Sequence, residues 1–166
     1  MQKALCTTLL AAGMASADVL TIDVDGIADP TFGGFSGQLF IDTDTGALTG
    51  QTVLPQLGST IDFAGLFGGE GTSGETSQGS VTGPSYQGDA DLTIPFTGVF
   101  TWSFDVVFGA GVSPGDSGLG VVNLQGFNPL NQSALDADLS FNYSVVPAPG
   151  AIALLGLAGL GRRRRS

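Results

Sequence analysis

Asp42, Asp44 and Gly46, with one residue between each, are the chain's nearest approach to an oxygen-ligand calcium loop. Such a loop needs a further ligand at its fifth position and a bidentate Glu near its twelfth. Gly46 occupies the fifth position here and Val53 the twelfth. The stretch therefore predicts a hairpin turn, with weak calcium binding by Asp42 and Asp44, shared with another acidic loop, as the alternative. Asp23, Asp25 and Asp29 form a second acidic group, whose spacing suits a solvated strand face and a turn.

Three other carboxylates could supply the acid and base of glycoside hydrolysis: Asp105, Glu70 and Glu75. Surface acids on a β-sheet explain all three without catalysis. Trp102 could offer a stacking platform to a sugar, but it alternates with Thr101 and Ser103, which predicts a core face. The residues that are missing argue more strongly. The chain has no His, so no Ser-His-Asp or Cys-His system can form. Lys3 is the only lysine and Cys6 the only cysteine, which disfavours Schiff-base chemistry and zinc sites. No Gly-rich loop is followed by a Lys or Arg that could hold a phosphate. The reading is of a protein that is not an enzyme and has no cofactor, calcium being the one open possibility.

Charge narrows the partners. All fifteen acidic residues lie between positions 18 and 161, where there is no Lys, Arg or His, so this body carries about −15. Nucleic-acid affinity comes largely from Lys and Arg, so no nucleic-acid partner is expected. Asn131-Gln132-Ser133 and Asn142-Tyr143-Ser144 match a short glycosylation pattern that matters only in a secretory system that reads it.

The elements that must position these residues read as short alternating strands between Gly, Ser, Thr, Asp and Pro clusters. Leu20, Ile22 and Val24 alternate with Thr21, Asp23 and Asp25. Residues 35–41 and 48–54 form a hairpin around Asp42 to Gly46, and 60–67 another strand. Residues 68–85 read as a long exposed loop, and 86–94 as an edge strand stopping at Pro95. Phe96, Phe100, Trp102, Phe104, Val106 and Phe108 share one face of the clearest strand. A strand at 119–127 follows, and the last carries Leu135, Ala137, Leu139, Phe141, Tyr143 and Val145 on one face. The fold class is all-β: an antiparallel β-sandwich of about eight or nine short strands, with a jelly roll or barrel as runner-up.

Both ends of the chain read as targeting segments. Lys3, the apolar run 4–14 and Ala15-Ser16-Ala17 have the order of a secretory signal peptide, with cleavage expected between Ala17 and Asp18. At the other end come Val146-Pro147-Ala148-Pro149-Gly150, an apolar stretch at 151–161, and Arg162, Arg163, Arg164 and Arg165. As a helix the apolar stretch would span only about 16 Å, short of a stable membrane crossing. With arginines held on the cytoplasmic side it describes a transient membrane hold. The organisation is thus a signal peptide at 1–17, a body at 18–145 and a C-terminal segment at 146–166.

That C-terminal segment resembles a PEP-CTERM sorting signal, the tag of exported bacterial proteins processed by exosortase. The tag has a Val-Pro-Glu-Pro-like motif, matched by Val146, Pro147, Ala148 and Pro149; a short apolar helix, matched by 151–161; and an Arg cluster, matched by Arg162 to Arg165. The departure is Ala148 in place of Glu, so either the usual enzyme or a variant reads it. The Gly-, Thr- and Asp-rich body also resembles cargo of that family around 37–50. The resemblance implies a precursor held in the inner membrane and cut near Pro147-Ala148-Pro149 by an exosortase-type transpeptidase. The mature product is then expected at the outer surface or in the secreted matrix, where exopolysaccharide is a partner. A carbohydrate-binding module, calcium-assisted or not, is the alternative activity for the body.

Overall fold

The computed structural model describes residues 19–29, 32–74, 76–128 and 133–147. It contains eight strands: β1 (Val19–Gly26), β2 (Ser36–Asp42), β3 (Ala47–Leu54), β4 (Ser59–Thr72), β5 (Thr82–Ile94), β6 (Gly98–Phe108), β7 (Ser117–Asn128) and β8 (Ser133–Val146). Each pairs antiparallel with the next, and β8 returns to β1 from Thr21↔Val146 to Gly26↔Phe141, closing a barrel. The all-β antiparallel expectation holds, but the two-sheet sandwich is corrected to a barrel. The reason is physical: a period of two says which side of a strand is apolar, and sandwich and barrel use that pattern alike. Closure depends on the first and last strands meeting, which no local pattern encodes.

The expected edge strand at 86–94 is not an edge, since it pairs on both sides within β5, with β4 and with β6. Half of the loop expected at 68–85 is strand: β4 continues to Thr72 and β5 begins at Thr82. Its Gly, Ser and Thr content marks a β-bulge at Phe67/Gly69, with Gly69 at φ 108, and not an absence of ladder bonds. Phe96, expected on the buried face, is fully exposed at φ 65 in the β5–β6 turn. Thr97 N–H donates to Ile94 O at 3.1 Å across that turn. Pro95 fixes the first central position, and a turn of this kind then requires positive φ at the second, which takes Phe96 out of the strand.

The interior of an eight-stranded barrel is just wide enough for side chains to fill. Here it is filled by the alternating residues read from the sequence, among them Ile22, Leu39, Ile41, Leu48, Leu92, Phe104, Phe108, Leu124, Phe141 and Val145, all buried. So many rings fit because inward glycines make room for them. A Cβ on Gly126 would lie 2.6 Å from Trp102 Cδ1, and one on Gly65 would lie 2.6 Å from Phe104 Cζ. Gly120 and Gly26 likewise face the rings of Phe141 and Phe35. Large opposite small across the barrel is how a narrow, tapering core reaches close packing.

The outer wall is polar. One row runs through Asp23, Gln38, Gln51, Asp62, Asp91 and Thr101 in register. With no cation in the body, amides and hydroxyls take the place of Lys and Arg beside these carboxylates. Gln38 Nε2 donates to Asp23 (2.8 Å), Gln51 Nε2 to Asp62 (2.7 Å) and Thr101 Oγ1 to Asp91 (2.6 Å). An apolar interior inside a polar wall is the reverse of a membrane-spanning barrel, whose lipid-facing band is apolar. Among the described residues no helix is long and apolar enough to cross a membrane.

Candidate functional site: an outer-wall groove and the barrel mouth

Beyond its bulge the β4–β5 hairpin folds over the outer wall. Ser140 Oγ of β8 donates to Thr76 Oγ1 in the hairpin loop at 3.1 Å, and Gly71 lies over Ser85 and Val107. Beneath it the outward row Ser85, Val107, Val121 and Ser140 is buried. Below that row, between Thr72–Gly74 of the overhang and strands β5 to β8, runs a groove of about 570 Å³.

Its floor is built by register. Gln87, Asp105, Asn123 and Asp138 stand opposite one another on four successive strands, with Ser103, Gln125 and Asp136 in the next row. Both Asp105 oxygens accept bonds, from Ser85 Oγ and Gln87 Nε2, each at 2.9 Å. Asn123 Nδ2 donates to Asp136 and to Asp138, also at 2.9 Å. These side chains are held in place by one another. Alternating carboxylate acceptors and amide donors suit a ligand rich in hydroxyls. Farther along the same wall, Val99 and Phe127 are exposed large apolar residues.

The candidate residues read from the sequence are scattered. Asp105 lies in the groove, two strands from Asp138, about 10 Å at the usual strand spacing. Glu70 is exposed on β4, opposite Pro84, and Glu75 lies outside the described residues. Trp102 is buried, its Nε1 donating to Phe127 O at 2.8 Å and its ring edge-on to Phe32 at 6.2 Å; it is core, as its alternation predicts. Asp42 and Asp44 sit in the β2–β3 turn. Asp42 Oδ1 accepts the N–H groups of Asp44 and Thr45, both at 2.9 Å, and Gly46 takes φ 70. The Thr45 backbone bond, chief among these contacts, holds the Asp42 carboxyl below its ordinary pKa. The turn geometry accounts for Asp42 and Gly46, and among the described residues no three Asp, Glu, His or Cys side chains are grouped to hold a metal ion.

Val146 ends β8 opposite Thr21, and Pro147 is exposed beside it. Ala17, Asp18, Ala148, Pro149 and Arg162, Arg163, Arg164 and Arg165 lie outside the described residues. The sequence reading missed the groove, because its amides gain meaning only when register sets them beside the aspartates. It placed Tyr143 on the apolar face but missed its hydroxyl, which donates to Gly111 O (2.7 Å) and accepts from Ala110 N–H (2.9 Å), tying the β6–β7 loop to β8. Burial raises its pKa; the Ala110 bond opposes the rise and Asp116 adds to it.

No family model, no curated protein and no solved structure matches this chain.

Proposed function

We propose that this chain is a non-enzymatic protein of the cell surface or extracellular matrix, exported behind a signal peptide and released from the inner membrane by an exosortase-type enzyme. The observation that carries this reading is where the barrel begins and ends. Its strands run from Val19 to Val146, so the expected cuts after Ala17 and near Pro147-Ala148-Pro149 fall just outside the wall. Because β1 and β8 are neighbours, both junctions are at one end of the barrel. Trimming the two segments would leave every strand and ladder in place, as a tag removed from folded cargo requires. The scatter of the carboxylates supports the non-enzymatic part, since Asp105 and Asp138 stand two strands apart, about 10 Å, and Glu70 lies on β4 opposite Pro84.

The test is the pair of termini of the mature protein, read by mass spectrometry from surface material of the native host. The expected N-terminus is Asp18, and the C-terminus lies near Pro147. A surface-located protein that still ends at Ser166 would defeat the sorting reading. Replacing the four arginines with neutral residues should impair retention and processing of the precursor.

A second reading, carbohydrate binding, is favoured by the groove itself: rows of Asp, Asn and Gln beside exposed Phe127. A wall of such charge suits neutral glycans over anionic ones. A glycan array with and without calcium tests this. Saturable binding that Asn123→Ala weakens supports it, and an absence of binding to any glycan removes it.

A further inference from the structure

The end of the barrel where β1 begins and β8 stops opens into a second cleft, of about 420 Å³. Leu20, Ile41, Phe67, Tyr86 and Val112 make it apolar, and Phe67 leaves 51% of its surface in water. Carboxylates rim it. Asp42 lines the cleft, Asp44 follows in the same turn, and Asp116 accepts the N–H of the cleft residue Ser113 at 2.7 Å. An apolar hollow with an acidic rim fits a partner that is apolar along one stretch and cationic beside it.

We propose that this partner is the chain's own uncut C-terminus, with side chains of 151–161 seated in the barrel mouth and the four arginines over the acidic rim. Three observations lead there. The order of the tail, apolar and then basic, is complementary to the mouth, and after signal removal these arginines are the chain's only basic side chains. The tail starts at the mouth, because Val146 pairs with Thr21 and Pro147 leaves the barrel at this end. The tether is also long enough. Residues 147–150 can reach roughly 14 Å when extended, while eight tilted strands about 4.8 Å apart enclose a barrel on the order of 16 Å across, which puts the centre of the mouth about 8 Å from the wall. Four linking residues raise the effective concentration of the tail at the mouth to the millimolar range, so a weak contact suffices. The cleft has room for a few aliphatic side chains, not a whole helix.

The uncut chain then has a self-capped form in water, in which the mouth competes with the bilayer for the same apolar segment. This does not depend on which enzyme reads the tail, or on whether any does; it requires only that the tail is still attached.

The body offers trypsin no Lys or Arg, so in chain 18–166 trypsin can cut only at the arginines. Docking predicts that they are removed at least tenfold more slowly than from the same chain carrying Phe67→Asp, and that 1 M salt narrows the gap. Equal rates in the two chains at low salt would overturn the proposal. An independent measurement covers a Phe67 variant that misfolds. With Cys6 gone, Val112→Cys and Leu155→Cys are the only thiols, and they should form a disulfide within one chain at least tenfold faster than Val99→Cys with Leu155→Cys. Equal rates, or disulfides formed only between chains, would count against self-docking.

Discussion

The two ends of the barrel are closed by different means. At the end carrying the β1–β2 connection, Trp102 fills the lumen, Phe32 meets it edge-on, and Phe127 O accepts its indole N–H. The plug is covalently part of the wall and fully buried. At the other end Phe108 meets the rings of Tyr86, Phe141 and Tyr143 edge-to-face with centroids 5.0–6.0 Å apart, but Phe67 at the margin is half exposed and a cleft remains. There closure depends on the β6–β7 loop, which is tied to β8 by the Tyr143 hydroxyl and by two backbone bonds, Gly115 N–H to Val145 O and Val145 N–H to Asp116 O. The plugged end is thus sealed by buried rings, while the open end keeps an accessible apolar hollow.

Trp102→Ala should be the most damaging single change. It removes a large ring, leaves the Phe127 carbonyl without its donor and leaves Gly126 facing a void. A loss of about 3–5 kcal/mol is expected, measured by urea denaturation. If the loss is under about 1 kcal/mol, the plug is not what closes this end.

Tyr143→Phe should cost less, about 1–2 kcal/mol, because it keeps the ring contacts and removes only the two bonds to the β6–β7 loop. Its signature is local: faster hydrogen exchange at Ala110 with little change near Trp102. The pH dependence has a definite sign. Burial raises the Tyr143 and Tyr86 phenols, so the unfolded chain ionises first as pH rises. Their contribution is intact below the ordinary tyrosine value of about 10 and falls away above it. Tyr143→Phe should make that alkaline loss smaller.

How much of this could be read from the chain follows the same division. The lumen was legible because inward residues such as Trp102, Phe104 and Val106 alternate with Thr101, Ser103 and Asp105, and the barrel keeps that alternation. The overhung wall was not. Val107 and Val121 are buried on the outer face because a hairpin from β4 and β5 folds over them. Their one local trace is the unbroken apolar run Val106-Val107-Phe108, which is what a strand covered on both sides looks like. Closure and the groove were out of reach for a shared reason. Both depend on register between strands distant in sequence, β1 with β8 and Asp105 with Asn123 and Asp138. The β2–β3 turn was legible because Asp42 and Gly46 each do local work there.

Between the two ends the packing has one flaw, and it sharpens the contrast. Thr52 is 1% exposed, and among the described residues its Oγ1 is the one buried side-chain polar atom with no hydrogen-bond partner. It faces a cavity of only about 10 Å³ among Val24, Phe35, Leu39, Phe63, Val106, Val122 and Phe141. That is at the lower limit for a water, with no second polar group to bind one. Thr52→Val replaces the hydroxyl with a methyl of similar size and should stabilise the barrel by about 1 kcal/mol. A destabilised variant would mean that the hydroxyl has a partner after all.

Asp42→Ala should have the smallest effect of the four, and it bears on the open end alone. The carboxylate is the acceptor for two N–H groups that start the β2–β3 turn, but Gly46 N–H still bonds Asp42 O at 2.8 Å and the flanking ladder still sets the register. The turn should therefore persist, with faster exchange at Asp44 and Thr45. Because the folded pKa is lowered, the carboxylate's contribution is present above the ordinary aspartate value of about 3.9 and is lost as pH falls through the folded value. Amide exchange across pH 2 to 5 reads this directly. In the wild type, protection at Thr45 should fall with acid, while in Asp42→Ala it should start low and stay flat. If acid loosens the turn equally in both, the cause lies elsewhere in the acidic rim, and Asp42 is a neighbour of the turn, not its anchor.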